Sequence, residues 1–150
     1  MGISEAVRRA IFNALGTVNY NGATIPVFDE YVNPNVAIPT VNGSECYILI
    51  QDQQEDTNIQ QTFCHDRTNC NITLRVVTKF KGVGGKATSE GIMDIVVKKI
   101  KPTPRTHTLQ DVDVYRIQDV RIELSRSYSE FANNQTAINK VTIFNVIVNQ

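Results

Sequence analysis

The segment KFKGVGGKATSEG, from Lys79 to Gly91, contains four glycines and a Gly-Lys pair, a composition that suggests phosphate binding. A phosphate-binding loop has the pattern G-x-x-x-x-G-K-[ST], because backbone N–H groups surround the phosphate, the lysine reaches the outer phosphates and the hydroxyl binds magnesium. Here Phe80 occupies the first glycine position and Ala87 the hydroxyl position. The pattern therefore disfavours nucleotide binding, and we interpret the glycines as a chain reversal.

A second group of reactive side chains lies in the segment CHDRTNC, which contains Cys64, His65 and Cys70. Structural zinc sites usually separate paired cysteines by two to four residues, whereas five residues separate these two. Neighbouring side chains on a strand point in opposite directions, so Cys64 and His65 form a poor ligand pair and a poor nucleophile with its base. We predict a polar loop followed by a buried Cys70, with no metal, no cofactor and no enzymatic site.

The overall composition indicates one globular domain. The chain has 150 residues, 41% of them apolar, and its 15 basic residues balance 15 acidic residues. Such neutrality lacks the general footprint of a nucleic-acid-binding protein and is compatible with self-assembly. The N-terminal sequence lacks the apolar region of an export signal, and no apolar run is long enough to cross a membrane. We expect no membrane partner, and three cysteines do not suggest a disulfide framework.

The first half of the sequence predicts one helix followed by short strands. Apolar residues recur at helical spacing in residues 4–15, with Ser4 as the expected N-cap and Gly16 as the stop signal. Asn21 and Gly22 form a hairpin-turn signal, after which Pro26 favours an edge strand or a bulge.

The middle of the sequence predicts the main strands. Residues 46–51, CYILIQ, are apolar on both faces, as in a central strand. Residues 52–69 are polar, and we interpret them as a projecting hairpin or an interaction loop. Residues 72–80 alternate between apolar and polar side chains, which predicts a strand with one buried and one solvent-exposed face.

The remaining sequence predicts a second helix and two long strands. The helix begins at Thr88 or Ser89, either of which can cap it, and ends before Pro102. Residues 112–124 alternate with a change of phase near Gln118, which indicates a bulge. Residues 125–135 form a polar linker, and residues 138–148 are apolar on both faces.

The order of elements predicts an α+β fold, in which mostly antiparallel sheet or sheets of about five to six strands pack against two α-helices. We expect a single domain over residues 1–150. Within it, residues 1–101 form a helix–strands–helix core and residues 105–150 supply two long C-terminal strands.

Five stretches resemble the tail terminator and head–tail joining proteins of tailed bacteriophages: VRRAIFNALG, YNGATIPVFDEYV, AIPTVNGSECYILIQDQ, NITLRVVTKF and SEGIMDIVVKKI. The resemblance covers residues 3–100. It implies a ring of six or twelve copies at the neck or tail end of a virion. The ring would contact portal, head-completion or tail proteins and leave a lumen through which DNA passes without sequence-specific binding. Before incorporation, the chain would be in the host cytoplasm.

The resemblance, combined with residue type, indicates candidate assembly residues. Candidates for contact with other subunits are residues of the predicted polar hairpin, aromatic and basic residues of the polar linker, and apolar residues of the last strand: Asp52, Gln54, Asp56, Ile59, Phe63, Arg126, Tyr128, Phe131, Phe144 and Val146. Candidates for facing the lumen or a partner are basic: Lys98, Lys99, Lys101 and Arg105.

Two other hypotheses follow from the same residues. One is a small nucleotide- or metal-binding enzyme domain that uses Gly84, Gly85 and Lys86, or Cys64 with His65. The other is a monomeric β-rich binding module. A ring many times heavier than one chain would distinguish the joining protein from both.

Overall fold

A computed structural model describes residues 2–56, 67–82 and 84–149. These residues form two helices and eight strands. In chain order they are α1 Ile3–Leu15, β1 Val18–Tyr20, β2 Ala23–Ile25, β3 Val27–Asp29, β4 Thr40–Val41, β5 Ser44–Asp56, β6 Arg67–Phe80, α2 Ala87–Ile100, β7 Arg116–Ala132 and β8 Gln135–Asn149.

The main sheet has six strands in the order β3-β5-β6-β8-β7, with β4 paired to one end of β5. β1 and β2 form a separate antiparallel pair. β3 runs parallel to β5, with Val27 opposite Ile48, whereas the other pairings of the sheet are antiparallel. The predicted fold class is therefore wrong in its sheet. The described residues form a mostly β structure with two helices, and the main sheet is mixed because β3 runs parallel to β5. The parallel β3 arises from a crossover that local sequence patterns do not encode.

Both helices pack on one face of the main sheet. α1 buries an apolar stripe, and α2 buries another stripe beside it: Ala6, Val7, Ala10, Ile11 and Leu15, then Ile92, Met93, Val96 and Ile100. Gly16 ends α1 with a φ of 52°, which confirms the predicted stop. The predicted caps are wrong, since Gly2 and Lys86 occupy the N-cap positions. Ser89 donates to the Lys86 carbonyl oxygen at 2.9 Å instead of accepting from the first turn.

The other face of the sheet carries a smaller apolar cluster. Phe28, Tyr47, Leu49 and Val77 are buried there, with Val32 and Ile38 packed against them. The prediction that one face of residues 72–80 is exposed to solvent is therefore wrong. The chain after β3 covers part of that face, and a period-two sequence pattern contains no signal for such a distant cover.

β7 and β8 form a long hairpin at one side of the sheet. Asn133 and Asn134 have φ values of 54° and 57°, as a type I′ turn requires, and Ala132 pairs with Gln135. The predicted linker at residues 125–135 is therefore wrong, because most of it continues β7. The bulge predicted near Gln118 is confirmed by a register shift between Ile117 and Asp119.

Both ends of the polar stretch at residues 52–69 belong to strands, since β5 continues to Asp56 and β6 begins at Arg67. Asp56 pairs with Asn69, so β5 and β6 both extend into that stretch. Residues 57–66 lie outside the described part of the chain. β8 lies between β6 and β7, so this C-terminal strand, which is apolar on both faces, is a central strand of the sheet.

Candidate assembly surfaces

β7 forms one edge of the main sheet, and most of its length is exposed. Its exposed side chains include large apolar groups: Ile122 is 44% exposed, Leu124 43% and Phe131 73%. An edge strand presents unpaired N–H and C=O groups that can pair with another chain. A long edge with apolar side chains is therefore a candidate assembly surface.

The half of β7 nearest its start, residues 116–123, has its edge capped by side chains. The Asp119 carboxylate accepts from the Val120 N–H at 2.9 Å, and the Lys101 ammonium donates to the Val120 carbonyl oxygen at 2.5 Å. The Arg121 side chain donates to Asp119 at 2.9 Å, and this hydrogen bond lowers the pKa of the Asp119 carboxyl. Two register shifts also interrupt this half. We call it the capped half, since a strand added here would compete with these bonds.

The other half of β7, residues 124–132, is regular and open. The type I′ turn directs the N–H and C=O groups of Ala132 toward β8. Backbone groups alternate in direction along a strand, so those of Phe131 and of every second residue before it point to the open edge. The outward groups are thus those of Ser125, Ser127, Ser129 and Phe131. Within the described part of the chain, no backbone group outside the strand pairing bonds to them. We call this segment the open half.

Side chains of the open half alternate between the two faces of the sheet. Ser125 lies on the helix side, where its hydroxyl is 3.5 Å from the Thr142 hydroxyl, so Phe131 also lies on that side. On the other side, the guanidinium groups of Arg75 and Arg126 lie 6.0 and 5.9 Å from the centre of the Tyr128 ring. Such cation–π contacts orient Tyr128 along the sheet surface.

A groove of about 430 Å³ separates α2 from the hairpin formed by β7 and β8. Its lining combines apolar or small groups with three charged ones: Gly91, Met93, Val97, Ile122, Ser125 and Thr142, with Glu90, Asp94 and Lys140. No local sequence pattern indicates this groove, because its walls come from α2 and from a hairpin farther along the chain.

A second group of exposed apolar side chains lies near the opposite edge of the sheet. Phe12 on α1 is 51% exposed, and Tyr31 and Val36, which follow β3, are 73% and 40% exposed. One turn before Phe12, the Arg8 side chain pairs with Asp29 and, at 2.7 Å, with Glu30. These pairs tie the exposed side of α1 to the end of β3. We call Phe12, Tyr31 and Val36 the β3-side surface.

The candidate contact residues fall in three environments. Arg126, Tyr128 and Phe131 lie on the open half. Asp52, Gln54 and Asp56 lie on β5, while Ile59 and Phe63 are outside the described residues. Phe144 and Val146 are fully buried in the core beneath the helices, so they offer no surface to another subunit.

The four candidate basic residues also separate into two groups. Lys99 donates to the Thr17 carbonyl oxygen at 3.0 Å, and Lys101 caps Val120 and bonds to the Pro104 carbonyl oxygen at 3.1 Å. Lys98 and Arg105 are exposed. Lys99 and Lys101 therefore hold the end of α2 in place, and Lys98 and Arg105 are available to a partner.

The cysteines and the glycine loop were the candidate chemical motifs. Cys46 and Cys70 are buried, and burial raises the pKa of the Cys46 thiol to about 11. Cys64 and His65 lie outside the described residues, and the described part of the chain contains no cluster of three potential metal ligands. The helices described are too short or too polar to cross a membrane.

The glycine loop, apart from Val83, is described and joins β6 to α2. Gly82 has a φ of 79°, which confirms that a chain reversal uses a glycine there. A Cβ on Gly84 would lie 2.5 Å from the Phe80 ring, so this position needs glycine for close packing, whereas Gly85 has open space around it. Gly84 thus has a structural role without a ligand.

Comparisons with known proteins identify the fold. No protein-family model matches the chain, and no curated protein matches its sequence. Among solved structures, it is similar to a chain in a structure described as "Virion of native gene transfer agent (GTA) particle". The TM-score is 0.51, the sequence identity is 14%, and the match covers 97% of this chain and 94% of the other. The chain therefore has the fold of a component of a virion-like particle.

Proposed function

We propose that this protein is a structural virion protein that assembles into a ring at the head–tail junction of a phage-like particle. The observation that carries the proposal is the similarity to a gene transfer agent virion chain over 97% of this chain. Because the match covers nearly the whole of both chains rather than one motif, it favours a related position for this chain in a particle. The ring would join the tail to portal or head-completion proteins and leave a lumen for DNA.

The distribution of exposed apolar residues supports ring closure. A ring needs a heterologous interface, in which one surface of each subunit meets a different surface of the next. The β3-side surface and β7 lie at opposite edges of the main sheet, and each exposes large apolar side chains. We assign one side of the ring interface to the β3-side surface and the other side to β7.

The exposed basic residues support a role near DNA. Lys98 and Arg105 lie at and after the end of α2, away from the Lys99 and Lys101 contacts that hold the helix. Two separated charges per subunit suit weak, sequence-independent contact with phosphates. We assign them to the lumen or to the contact with a neighbouring ring.

The enzyme hypothesis rests on few described features. Its metal version depends on Cys64 and His65, which lie outside the described residues. Its nucleotide version depends on Gly84, whose tight packing against Phe80 already explains a glycine. We therefore prefer the structural role.

Particle mass tests the proposal. We expect the purified chain, alone at high concentration or with neighbouring virion proteins, to give a closed ring by native mass spectrometry and electron microscopy. Phe12→Glu should abolish the ring, because it places a charge on the β3-side surface. Lys81→Gln is the matched control, since Lys81 is exposed outside both surfaces, and it should assemble normally.

Two results would overturn this assignment. One is a chain that never exceeds a small oligomer with any virion protein. The other is a ring that forms equally well with Phe12→Glu.

A further inference from the structure

We propose that the free chain pairs with a second copy of itself through the open half of β7. The two strands would run antiparallel about a two-fold axis at Tyr128, which joins two six-stranded sheets into one. This goes beyond the ring, because it uses the β7 edge of both copies and does not use the β3-side surface. It holds whether or not a ring forms.

In this register, the outward backbone N–H and C=O groups of one open half lie opposite those of the other copy. With Tyr128 opposite the same residue of the second copy, Ser127 lies opposite Ser129, and Ser125 lies opposite Phe131. All four carry outward-pointing N–H and C=O groups, so the pairing makes about eight hydrogen bonds. Pairing stops at the capped half, where Lys101 and Asp119 occupy the backbone groups of Val120.

The charges of the open half are also self-complementary. In the sequence R-S-Y-S-E, Arg126 and Glu130 stand at equal distances from Tyr128. Antiparallel pairing therefore places Arg126 of each copy opposite Glu130 of the other, on the same face of the sheet. Among registers of this strand on itself, only the one centred on Tyr128 makes both contacts. Within the described part of the chain, neither Arg126 nor Glu130 has a salt-bridge partner.

The apolar side chains complete the match on the helix side. Phe131 is 73% exposed and lies opposite Ser125 of the second copy in this register. Ser125 lines the groove between α2 and the β7–β8 hairpin, together with Met93, Val97 and Ile122. Each Phe131 ring therefore meets the groove of the other copy, and a groove of about 430 Å³ has room for it. The pair therefore covers the exposed Phe131 ring and the groove at once.

The pair has a consequence for assembly. It covers the edge of β7, which the proposed ring also uses, so one molecule cannot make both contacts. An exposed edge strand invites uncontrolled pairing with other chains. Self-pairing would keep this edge covered in the free chain until ring assembly displaces the second copy.

Charge exchange tests the pair. All variants carry Phe12→Glu, which removes the β3-side surface so that ring formation does not obscure the result. In that background we expect a monomer–dimer equilibrium by sedimentation. Arg126→Glu and Glu130→Arg should each raise the Kd by about tenfold or more, because each creates two like-charged contacts. The double variant R126E/E130R should restore the dimer, as should an equimolar mixture of the two single variants.

Cross-linking tests the register. Tyr128 forms a non-hydrogen-bonded pair with its symmetry mate, where Cα atoms approach to about 4.5 Å, close enough for a disulfide. In a Cys64→Ser background, Tyr128→Cys should form an intermolecular disulfide under mild oxidation, whereas Arg126→Cys should not. A chain that stays monomeric at high concentration would contradict the pair. So would charge exchange that the double variant does not rescue, or equal cross-linking at both positions.

Discussion

The capped half and the open half of β7 differ in how their outward N–H and C=O groups are bonded. Both lie at the edge of one sheet and both pair with β8 on their inner side. In the capped half, Asp119 and Lys101 bond to the outward groups of Val120, and two register shifts bend the strand. In the open half, the strand is regular and its outward groups have no backbone partner in the described chain. Protection of this edge is therefore local, and the open half is the segment where we propose that another strand binds.

The largest effect should follow from blocking the open half. Proline is tolerated on an edge strand where its nitrogen faces outward, but it removes the donor that a new strand needs. We expect Ser127→Pro to abolish both the self-pair and the ring while changing the free energy of unfolding by about 1 kcal/mol or less. Light scattering measures the first effect and urea denaturation the second.

Tyr128→Pro is the matched control for this substitution. The Tyr128 N–H points toward β8, so proline there removes a hydrogen bond of the existing ladder and should destabilise the fold more than Ser127→Pro does. If Ser127→Pro unfolds the chain as severely as Tyr128→Pro, the outward direction of the Ser127 backbone is wrong.

Removing the Lys101 cap from the capped half should have a smaller effect, and this effect should be on the free energy of unfolding. Lys101→Met keeps the length of the side chain but leaves the Val120 and Pro104 carbonyl oxygens without their donor. We expect a loss of about 1–3 kcal/mol in the free energy of unfolding, together with new self-association through the uncapped edge. Lys98→Met is the control, since Lys98 is exposed on the same helix, and it should change stability by about 0.5 kcal/mol or less. Equal stabilities for the two variants would remove the basis for a capped half.

The smallest effect should be a pH dependence at the same cap. The Arg121 side chain lowers the pKa of the Asp119 carboxyl below its ordinary value. A lowered pKa in the folded state means that the ionised carboxylate adds stability above the unfolded pKa, and that this is lost as the pH falls through the folded pKa. We expect Arg121→Ala to raise the pKa of Asp119, measured by NMR titration, and to reduce the loss of stability below about pH 4. An unchanged pKa in this variant would show that Arg121 does not act on Asp119.

Sequence patterns predicted the parts of the fold that depend on nearby residues. Apolar spacing located α1 and α2, the Asn-Gly signal located the first hairpin, and the change of phase near Gln118 located a bulge in β7. The residues of the open half looked like a linker because serines and charges favour loops. Pairing with β8 overrides that preference, and it depends on residues far along the chain.

The candidate surface was predictable in residue type but not in arrangement. Arg126, Tyr128 and Phe131 are typical of interfaces, and the structure places all three on the open half. Phe144 and Val146 fitted an interface and a central strand equally well, because a strand that is apolar on both faces suits either, and they lie in the core. The contact between Lys101 and Val120 joins two elements far apart in sequence, so no local pattern reveals it.

Cryo-electron microscopy of tailed particles that contain this chain tests the central claim most directly. The account predicts one closed ring of the chain at the head–tail junction, with the open half of β7 of each subunit against the β3-side surface of the next. A chain that is absent from that junction, or that forms a ring in which the open half faces solvent, would contradict the account.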